Sequence, residues 1–542
     1  MLIIDTQNLE KTSAGLTDSE VYWIYCALDC CVTYDVINAI EPQLDGVSRE
    51  TYNTSLATLP VVLEMMLEGL LVDLTKRGEV LAHYEKQLAQ LEEAFNELCV
   101  EGLGIPADRT KRDKGRAPVP INIASPKDVQ YLFHSVLKLP ERKKRKKGQD
   151  EAKTTTDRDV LEGFRNYYFA EVFVNYILAM RDCGKAIGFL RTKLAKDNKI
   201  RCSFNVAGTK TGRLNSSFSD FGDGTNLQNV TGKLKNIFVS EPAWGLVDID
   251  LEQGDSRGVG AIAWEWFVES YGEEWAGRYL DACESGDLHT TVTRMAWTDL
   301  GWPIGLDQKA CKKIAEQIAY RDLSYRDLSK KLGHGSNYLG QPKTMAGHTK
   351  LPVQIIQDFQ NRYFGEFQCI SAWQHETIRQ VQENRCLITP FGRRRWFWDD
   401  PNAQPTKNAA IAYSPQSTTG EFINRGAIQL WHYRNQQNLP IKFLLQVHDS
   451  LVLAVKWRAM PDLIPVILEK LRVVKMLKRG REFTIPHGVK VGFNYGMTEF
   501  NKDGSVKDNF YGMRKWTGHD DRTPPKNLST LEALLNAPLK SR

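Results

Sequence analysis

The chain has 542 residues, 42% of them hydrophobic and 25% charged, which fits a globular protein with room for roughly two to four compact units. Its net charge of +5 is too small to announce a polyanionic partner, and its ten cysteines contain no CxxC pair, with no histidine near Cys26, Cys30 and Cys31 to complete a zinc site. There is no uninterrupted run of about 18 apolar residues, and Met1-Leu-Ile-Ile-Asp-Thr-Gln-Asn8 lacks the basic region and apolar stretch of a signal peptide; a cytoplasmic protein with reduced, mostly buried thiols and no membrane partner is expected.

Residues 1–45 are short and mixed, and Leu56–Val72 opens a mostly helical region. Glu79–Val100 and Val160–Lys196 read as long helices, separated by a basic, proline-bearing region in which Ser125-Pro-Lys-Asp128 starts a short helix with a good N-cap. Two dense basic patches, Lys111–Arg116 and Arg142–Lys147, are solvated loops or phosphate-tracking loops. From Arg201 the texture changes to short strands and Gly/Ser/Asn-rich turns leading into the strand Gly245–Leu251. Residues 258–387 are again helical and rich in Trp, after which strand texture returns through Phe391-Gly-Arg-Arg-Arg395 and ends at Val489-Lys-Val-Gly492. A helical insertion inside a sheet domain is the simplest organisation. The polar tail beyond Phe500 has one weak helical stretch, Leu528–Leu535.

Three elements carry candidate chemistry. In Phe443–Val455, His448, Asp449 and Ser450 sit between two apolar runs, so a carboxylate occupies the turn of a hairpin, either as a solubilising turn or as an exposed functional acid. In Val247-Asp-Ile-Asp-Leu251, alternation puts Asp248 and Asp250 on one face and the apolar residues on the other. With Asp449 they offer hard oxygen ligands of the kind that suit Mg²⁺. In Arg326–Tyr338, Arg326, Lys330, His334 and Tyr338 recur every four residues along one helical face, where a fork and a point charge suit a triphosphate. Gly333 and Gly335 within it point to a bend or a close approach.

Taken in order, these elements resemble motifs A, B and C of the family A DNA polymerases, the polymerase I group and its phage relatives. Leu59–Asp73 is similar to the entry into the family's thumb, Ile121–Gln130 to its thumb segment, Thr211-Gly-Arg-Leu-Asn-Ser216 and Asn226-Leu-Gln-Asn229 to the primer-template strand, and Gly286-Asp-Leu-His-Thr290 to a finger element. The resemblance covers roughly residues 20–497. It implies an α+β right-hand fold with an antiparallel palm sheet, helical fingers and a helical thumb. The implied division is an exonuclease remnant at 1–45, thumb at 46–200, palm at 201–257 and 388–500, fingers at 258–387 and a tail at 501–542.

The implied activity is template-directed addition of dNMPs from dNTPs to a primer 3′-hydroxyl. Asp250 and Asp449 take the places of the catalytic metal ligands for two Mg²⁺ ions about 4 Å apart, Mn²⁺ being a substitute. Lys330, beside Arg326 at the triphosphate, neutralises or protonates the leaving pyrophosphate. Gln253, Asp255, His289, His334 and Tyr338 complete the nucleotide site, Asp255 as the sugar-sensing acid. Arg213, Asn226, Gln228, Asn229, Arg257, Gln416 and His448 take DNA-binding places. The implied partners are primer-template DNA, dNTPs and other replication proteins, in the host cytoplasm if the source is viral.

The pattern breaks at three points. Asp255 stands for the family's usual glutamate, which retracts the carboxylate by roughly 1.5 Å and loosens the block on ribose unless His334 fills the gap. Ser450 stands for the acid that usually follows the motif C aspartate, a change expected to be tolerated. Val21–Asp29 resembles the last exonuclease motif, with Tyr25 and Asp29 in its catalytic places, but the earlier acidic motifs have no room upstream. The chain alone is therefore expected to lack 3′ to 5′ exonuclease activity, and a separate subunit would supply the missing part. A single-subunit RNA polymerase shares the His-Asp-Ser turn but needs a small residue at Asp255, and a decayed DNA-binding protein is disfavoured by Asp250, Asp449, Arg326 and Lys330 occurring together.

Overall fold

A strand that is buried on one face and acidic on the other organises the centre of the computed structural model, which describes residues 15–112, 117–144, 153–305, 307–501, 505–518 and 522. Most of the first basic patch, half of the second and the stretch Leu528–Leu535 lie outside these residues.

Helix α1, Asp18–Ile40, opens the described chain with a capping box in which Glu20 and Thr17 exchange bonds. None of its residues is buried, and Tyr22, Trp23, Tyr25 and Tyr34 are all more than half exposed. Because two acids are tolerated within an apolar window, Asp18–Gln43 is long and apolar enough, by length and composition, to cross a membrane. Asp29 and Asp35 interrupt its apolar sequence, so it contains no unbroken apolar run.

Helix α2, Gly46–Glu68, starts ten residues before the expected helical region and stops short of its end. Gly69 takes φ 65° there, and a Cβ would meet the Ile200 carbonyl oxygen at 2.7 Å. The chain continues instead as β1, Leu70–Val72, paired on both sides. Helices α3, Leu74–Glu97, and α4, Tyr168–Leu190, pack together as the expected long pair. The first begins five residues early because the Asp73 carboxylate caps it through the Lys76 N–H. The second is shorter because a separate turn of helix, Arg158–Gly163, precedes it. The short helix Pro126–Gln130 forms where expected, capped by Ser125.

Strand β2, Trp244–Leu251, leads into a helical insertion: α5, Gly254–Tyr271; α6, Glu273–Glu284; α7, Leu288–Ala296; α8, Tyr325–Asn337; α9, Val353–Glu366; and α10, Gln368–Asn384. These close around a core of their own that includes Trp373, Tyr279, Tyr363 and Leu332. The hairpin β3, Cys386–Ile388, and β4, Arg394–Trp396, then feeds the long helix α11, Gln404–Gln437. Strands β5, Ile441–Val447, and β6, Ser450–Lys456, form the expected hairpin, followed by α12, Met460–Leu471, β7, His487–Gly492, and β8, Arg514–Lys515.

The main sheet is antiparallel throughout, in the order β5-β6-β2-β7-β8. Its apolar face, with Val247, Ile249, Leu451 and Leu453 each buried, joins Phe422 of α11 and Ile464 of α12 in the largest core. All ten cysteines are free, and six are buried as expected, whereas Cys26, Cys30 and Cys31 are exposed on α1.

Candidate active site

Register brings the two key acids together. Ser450 stands opposite Asp250 across β6 and β2, so Asp449, one residue earlier in a two-residue turn, lies at the end of β2. The Leu251 N–H donates to the Asp449 carbonyl at 3.1 Å, which pins the turn. His448 adopts φ 54° in this turn, a left-handed conformation uncommon outside glycine, and its side chain is exposed. Val247, Ile249 and Leu251 are buried while Asp250 is open to the cleft, as strand alternation requires.

Burial raises the Asp250 carboxyl to about 6, and the charge of Asp248 adds to this, with Asp449 and Glu252 contributing and Lys490 opposing. Burial also raises Asp449, against the pull of Arg213. The cleft thus holds carboxylates short of positive charge. Asp250 binds a proton more tightly folded than unfolded, so it stabilises the metal-free protein below its ordinary 3.8 and that stabilisation fades as pH rises through about 6. A proton and a cation compete for the same oxygens. Mn²⁺ affinity of the DNA-free protein, measured by calorimetry, is therefore expected to fall about tenfold between pH 7 and pH 5. A flat profile would count against Asp250 as the cation's ligand.

Arg213 ties the acids to the rest of the cleft. Its Nη2 lies 2.6 Å from Asp255 Oδ1 and 3.1 Å from Asp449 Oδ1, and its Nε donates to the Gln416 carbonyl at 3.1 Å. The Thr419 hydroxyl donates to Asp255 at 3.1 Å. The expected sugar-sensing acid and an arginine expected at DNA are thus paired with each other. Gln253, with φ 58°, precedes α5 and donates to the Gly286 carbonyl at 3.3 Å.

Across the cleft stands α8. Asp287 accepts from Arg326 Nε at 2.8 Å and Nη2 at 2.9 Å and also caps α7 through the His289 N–H at 3.2 Å. One carboxylate therefore orients two of the expected phosphate binders. Sequence reasoning overlooked it, although Gly-Asp-Leu-His carried the signal of a capping acid. Burial and the neighbouring Arg326 push the His289 imidazole down to about 4, and burial lowers His334, so both are neutral near pH 7. The His334 and Tyr338 rings lie 4.8 Å apart. The glycines mark close approach without a bend: a Cβ on Gly335 would sit 2.7 Å from Met345, and one on Gly333 3.5 Å from Tyr363. The resulting cavity, about 220 Å³, is bounded by Asp250, Asp255, His289, Lys330, His334 and Asp449.

Three residues expected at DNA are engaged in bonds within the protein. Arg257 is 6% exposed and donates to the Cys283 carbonyl at 2.8 Å, tying α5 to α6. Gln228 is buried, accepting from the Ser216 N–H and donating to the Leu214 and Gln446 carbonyls, and Asn226 is likewise spent on Ser216 and Gln228. These amides hold the loop that presents Arg213; Gln228 is buried with both ends of its amide spent, whereas Asn226 stays partly exposed. Asn229 is exposed, away from the cavity.

Asp248, which shares its strand face with Asp250, has a partner of its own: the Ser450 hydroxyl donates to its carboxylate. Restoring an acid by Ser450→Asp removes that donor and sets a like charge directly opposite Asp250, which costs up to about 1 kcal/mol. Urea denaturation at pH 7 without divalent ions is expected to show that loss, and an unchanged midpoint would mean the added charge is solvated.

Among the described residues no group of three or more His, Cys, Asp or Glu side chains could hold a metal ion by itself. A cation here would take its remaining ligands from substrate and water, which fits Mg²⁺ better than a metal needing a full protein cage.

Residues 89–291 and 308–497 match the sequence model of DNA polymerase family A. DNA polymerase I of Caldicellulosiruptor bescii is 24% identical over 429 residues, 76% of this chain and 43% of that protein. The thermostable DNA polymerase I of Thermus aquaticus is 26% identical over 398 residues, 70% and 43% of the two chains, and DNA polymerase I of Geobacillus stearothermophilus 23% over 484 residues, 85% and 48%. The chain spans about half the length of the curated relatives it matches. In fold it is similar to the POL domain of Pol1 from M. smegmatis, solved in complex with DNA primer-template and dNTP, with a TM-score of 0.64, 22% identity, and coverage of 86% of this chain and 75% of that one.

Proposed function

Because this chain belongs to DNA polymerase family A, we propose that it is a template-directed DNA polymerase that extends a primer 3′-hydroxyl with dNTPs. The observation that carries the reading is the register of β6 on β2, which sets Asp449 beside Asp250 opposite the cationic face of α8. Asp250 and Asp449 would hold the divalent cations, Mg²⁺ or in its place Mn²⁺, which when bound activate the primer hydroxyl and neutralise the triphosphate. Lys330 and Arg326 orient the triphosphate, and Lys330 balances the charge that builds on the departing pyrophosphate. Neutral His289 donates a hydrogen bond to phosphate without adding charge. Arg213 exchanges Asp449 for the primer-template when DNA enters, with Gln416 and His448 beside it.

The reading extends to a viral protein at work in a host cytoplasm and to an enzyme without its own proofreading. Tyr25 and Asp29, in the places of the last exonuclease motif, stand exposed on α1. A separate exonuclease chain, or another replication protein, would dock there. A bilayer suits α1 less well, because Asp29 and Asp35 each cost about 3 kcal/mol at the centre of a span.

Primer extension with dNTPs and separately with rNTPs, with and without Mg²⁺, tests the reading. Mg²⁺-dependent dNMP addition is expected, with rNMP addition at least about tenfold slower and slower still in Asp255→Glu, whose longer carboxylate reaches further toward the sugar. Equal use of rNTPs would favour an RNA polymerase, and no extension a decayed binding protein. Mixing with a candidate exonuclease chain would show complex formation and restored proofreading, or dismiss the partner.

A further inference from the structure

At the end of β4 and in the two residues after it, side chains alternate between core and solvent, which produces a surface that the polymerase reading does not use. Phe397 points inward, 4% exposed, into a small core with Leu387 and Tyr413. Its neighbours Trp396 and Trp398 therefore point outward together, 48% and 82% exposed. The two indoles lie 5.9 Å apart at 20°, already stacked.

The support beneath them is rigid. Cys386 pairs with Trp396 across the hairpin, and the Phe397 N–H donates to the Arg385 carbonyl at 2.8 Å. Arg385 reaches past Trp398 to the Asp399 carbonyl at 2.8 Å, and Tyr413 donates to the Arg393 carbonyl at 2.8 Å. The segment that carries the platform is basic in sequence, residues 385–407 containing Arg385, Arg393, Arg394, Arg395 and Lys407 against Asp399 and Asp400, although Arg395 lies over the Phe397 and Tyr413 rings. Glu421 matches Arg393 and Asp45 matches Arg394. Among the described residues no carboxylate lies within ion-pair distance of Arg385, Arg395 or Lys407.

We infer that Trp396 and Trp398 form a stacking platform for the bases of single-stranded nucleic acid, with Arg385 supplying a cation beside the strand. Exposed aromatic faces set among unmatched cations complement a polymer of flat bases joined by phosphates. A duplex hides its base faces, so only an unpaired strand can use the platform. The site lies just before α11, the helix that carries Gln416 and Thr419 into the cleft, so a strand held there is mechanically joined to the candidate active site.

The test uses the full chain and a labelled 15-residue oligo(dT) with no primer, so its result does not depend on whether the protein polymerises. By fluorescence anisotropy, Trp398→Ala and Trp396→Ala are each expected to weaken binding by roughly five- to hundredfold, while Trp398→Phe stays within about threefold and a blunt duplex binds all forms alike. Unchanged circular dichroism and melting of Trp398→Ala would establish that the fold is intact. Photo-crosslinking with 5-iodouracil in the same oligonucleotide should recover the peptide spanning Trp396–Trp398. Equal affinity of the Trp396→Ala/Trp398→Ala double variant for oligo(dT), equal losses in the Phe and Ala variants, or crosslinks only elsewhere would overturn the inference. Loss of self-association in sedimentation, with single-strand binding unaltered, would overturn it in favour of a protein contact.

Discussion

Asp250→Asn and Asp449→Asn are each expected to slow single-turnover primer extension by about 10³-fold or more while changing primer-template affinity by less than about threefold. Asparagine keeps the size and shape of the side chain, so neither variant opens a cavity. What changes is charge. Asp250 faces the cleft beside Asp248, and Asp449 lies 3.1 Å from Arg213. On the proposed function, removing either negative charge would leave only one of the two carboxylates that are to hold the divalent cations. Asp449→Asn also frees Arg213 from one of its two acids, while the shorter 2.6 Å contact to Asp255 remains, so the loop stays in place. Extension above about a tenth of the wild-type rate in both variants would show that these acids do not carry the chemistry. A decrease in rate matched by an equal decrease in DNA affinity would place them in binding instead.

Glu421→Gln is expected to destabilise the protein by about 3 kcal/mol, and Glu421→Ala by up to about 5 kcal/mol, measured by urea denaturation at pH 7. Glu421 is 2% exposed and accepts from Arg393 Nε at 3.0 Å and Nη2 at 2.7 Å, and from Arg425 Nε at 3.1 Å. Burying this carboxylate is costly in itself; losing its charge leaves two guanidinium groups without it in a poorly hydrated interior. Arg425 keeps Glu50 as a second partner, whereas Arg393 has none among the described ion pairs. Arg393 also lies against Gly212, whose φ of 76° and absent Cβ leave room for the guanidinium, one residue before Arg213. The glutamine variant should therefore loosen the loop that presents Arg213, lowering activity along with stability. A change below about 1 kcal/mol would mean that water reaches the cluster.

Expectations that rest on near neighbours in the chain agree with the structure. The apolar runs on either side of His448-Asp449 make a hairpin, alternation in β2 separates Asp250 from Ile249, and the four-residue spacing of Arg326, Lys330 and His334 lays them along one helix. Helix ends moved where a capping residue or glycine acted, at Asp73 and Gly69, because capping depends on one side chain and not on a period. The large departures lie where partners are distant in sequence. Arg257, read as a DNA contact, is sealed beneath α6, and Gln228 spends its amide on backbone 14 and 218 residues away.

The sequence by itself determined the acidic strand, the turn that exposes Asp449 and the cationic helix, because periods of two and of about four residues are properties of the local backbone. Only the tertiary structure decided that Arg213 pairs with Asp255 and Asp449, that Asp287 holds Arg326 while capping the helix of His289, and that Ser450 serves Asp248. Each of these contacts joins segments brought together by sheet register and helix packing, and a one-residue slip of β6 on β2 would undo the first and last of them.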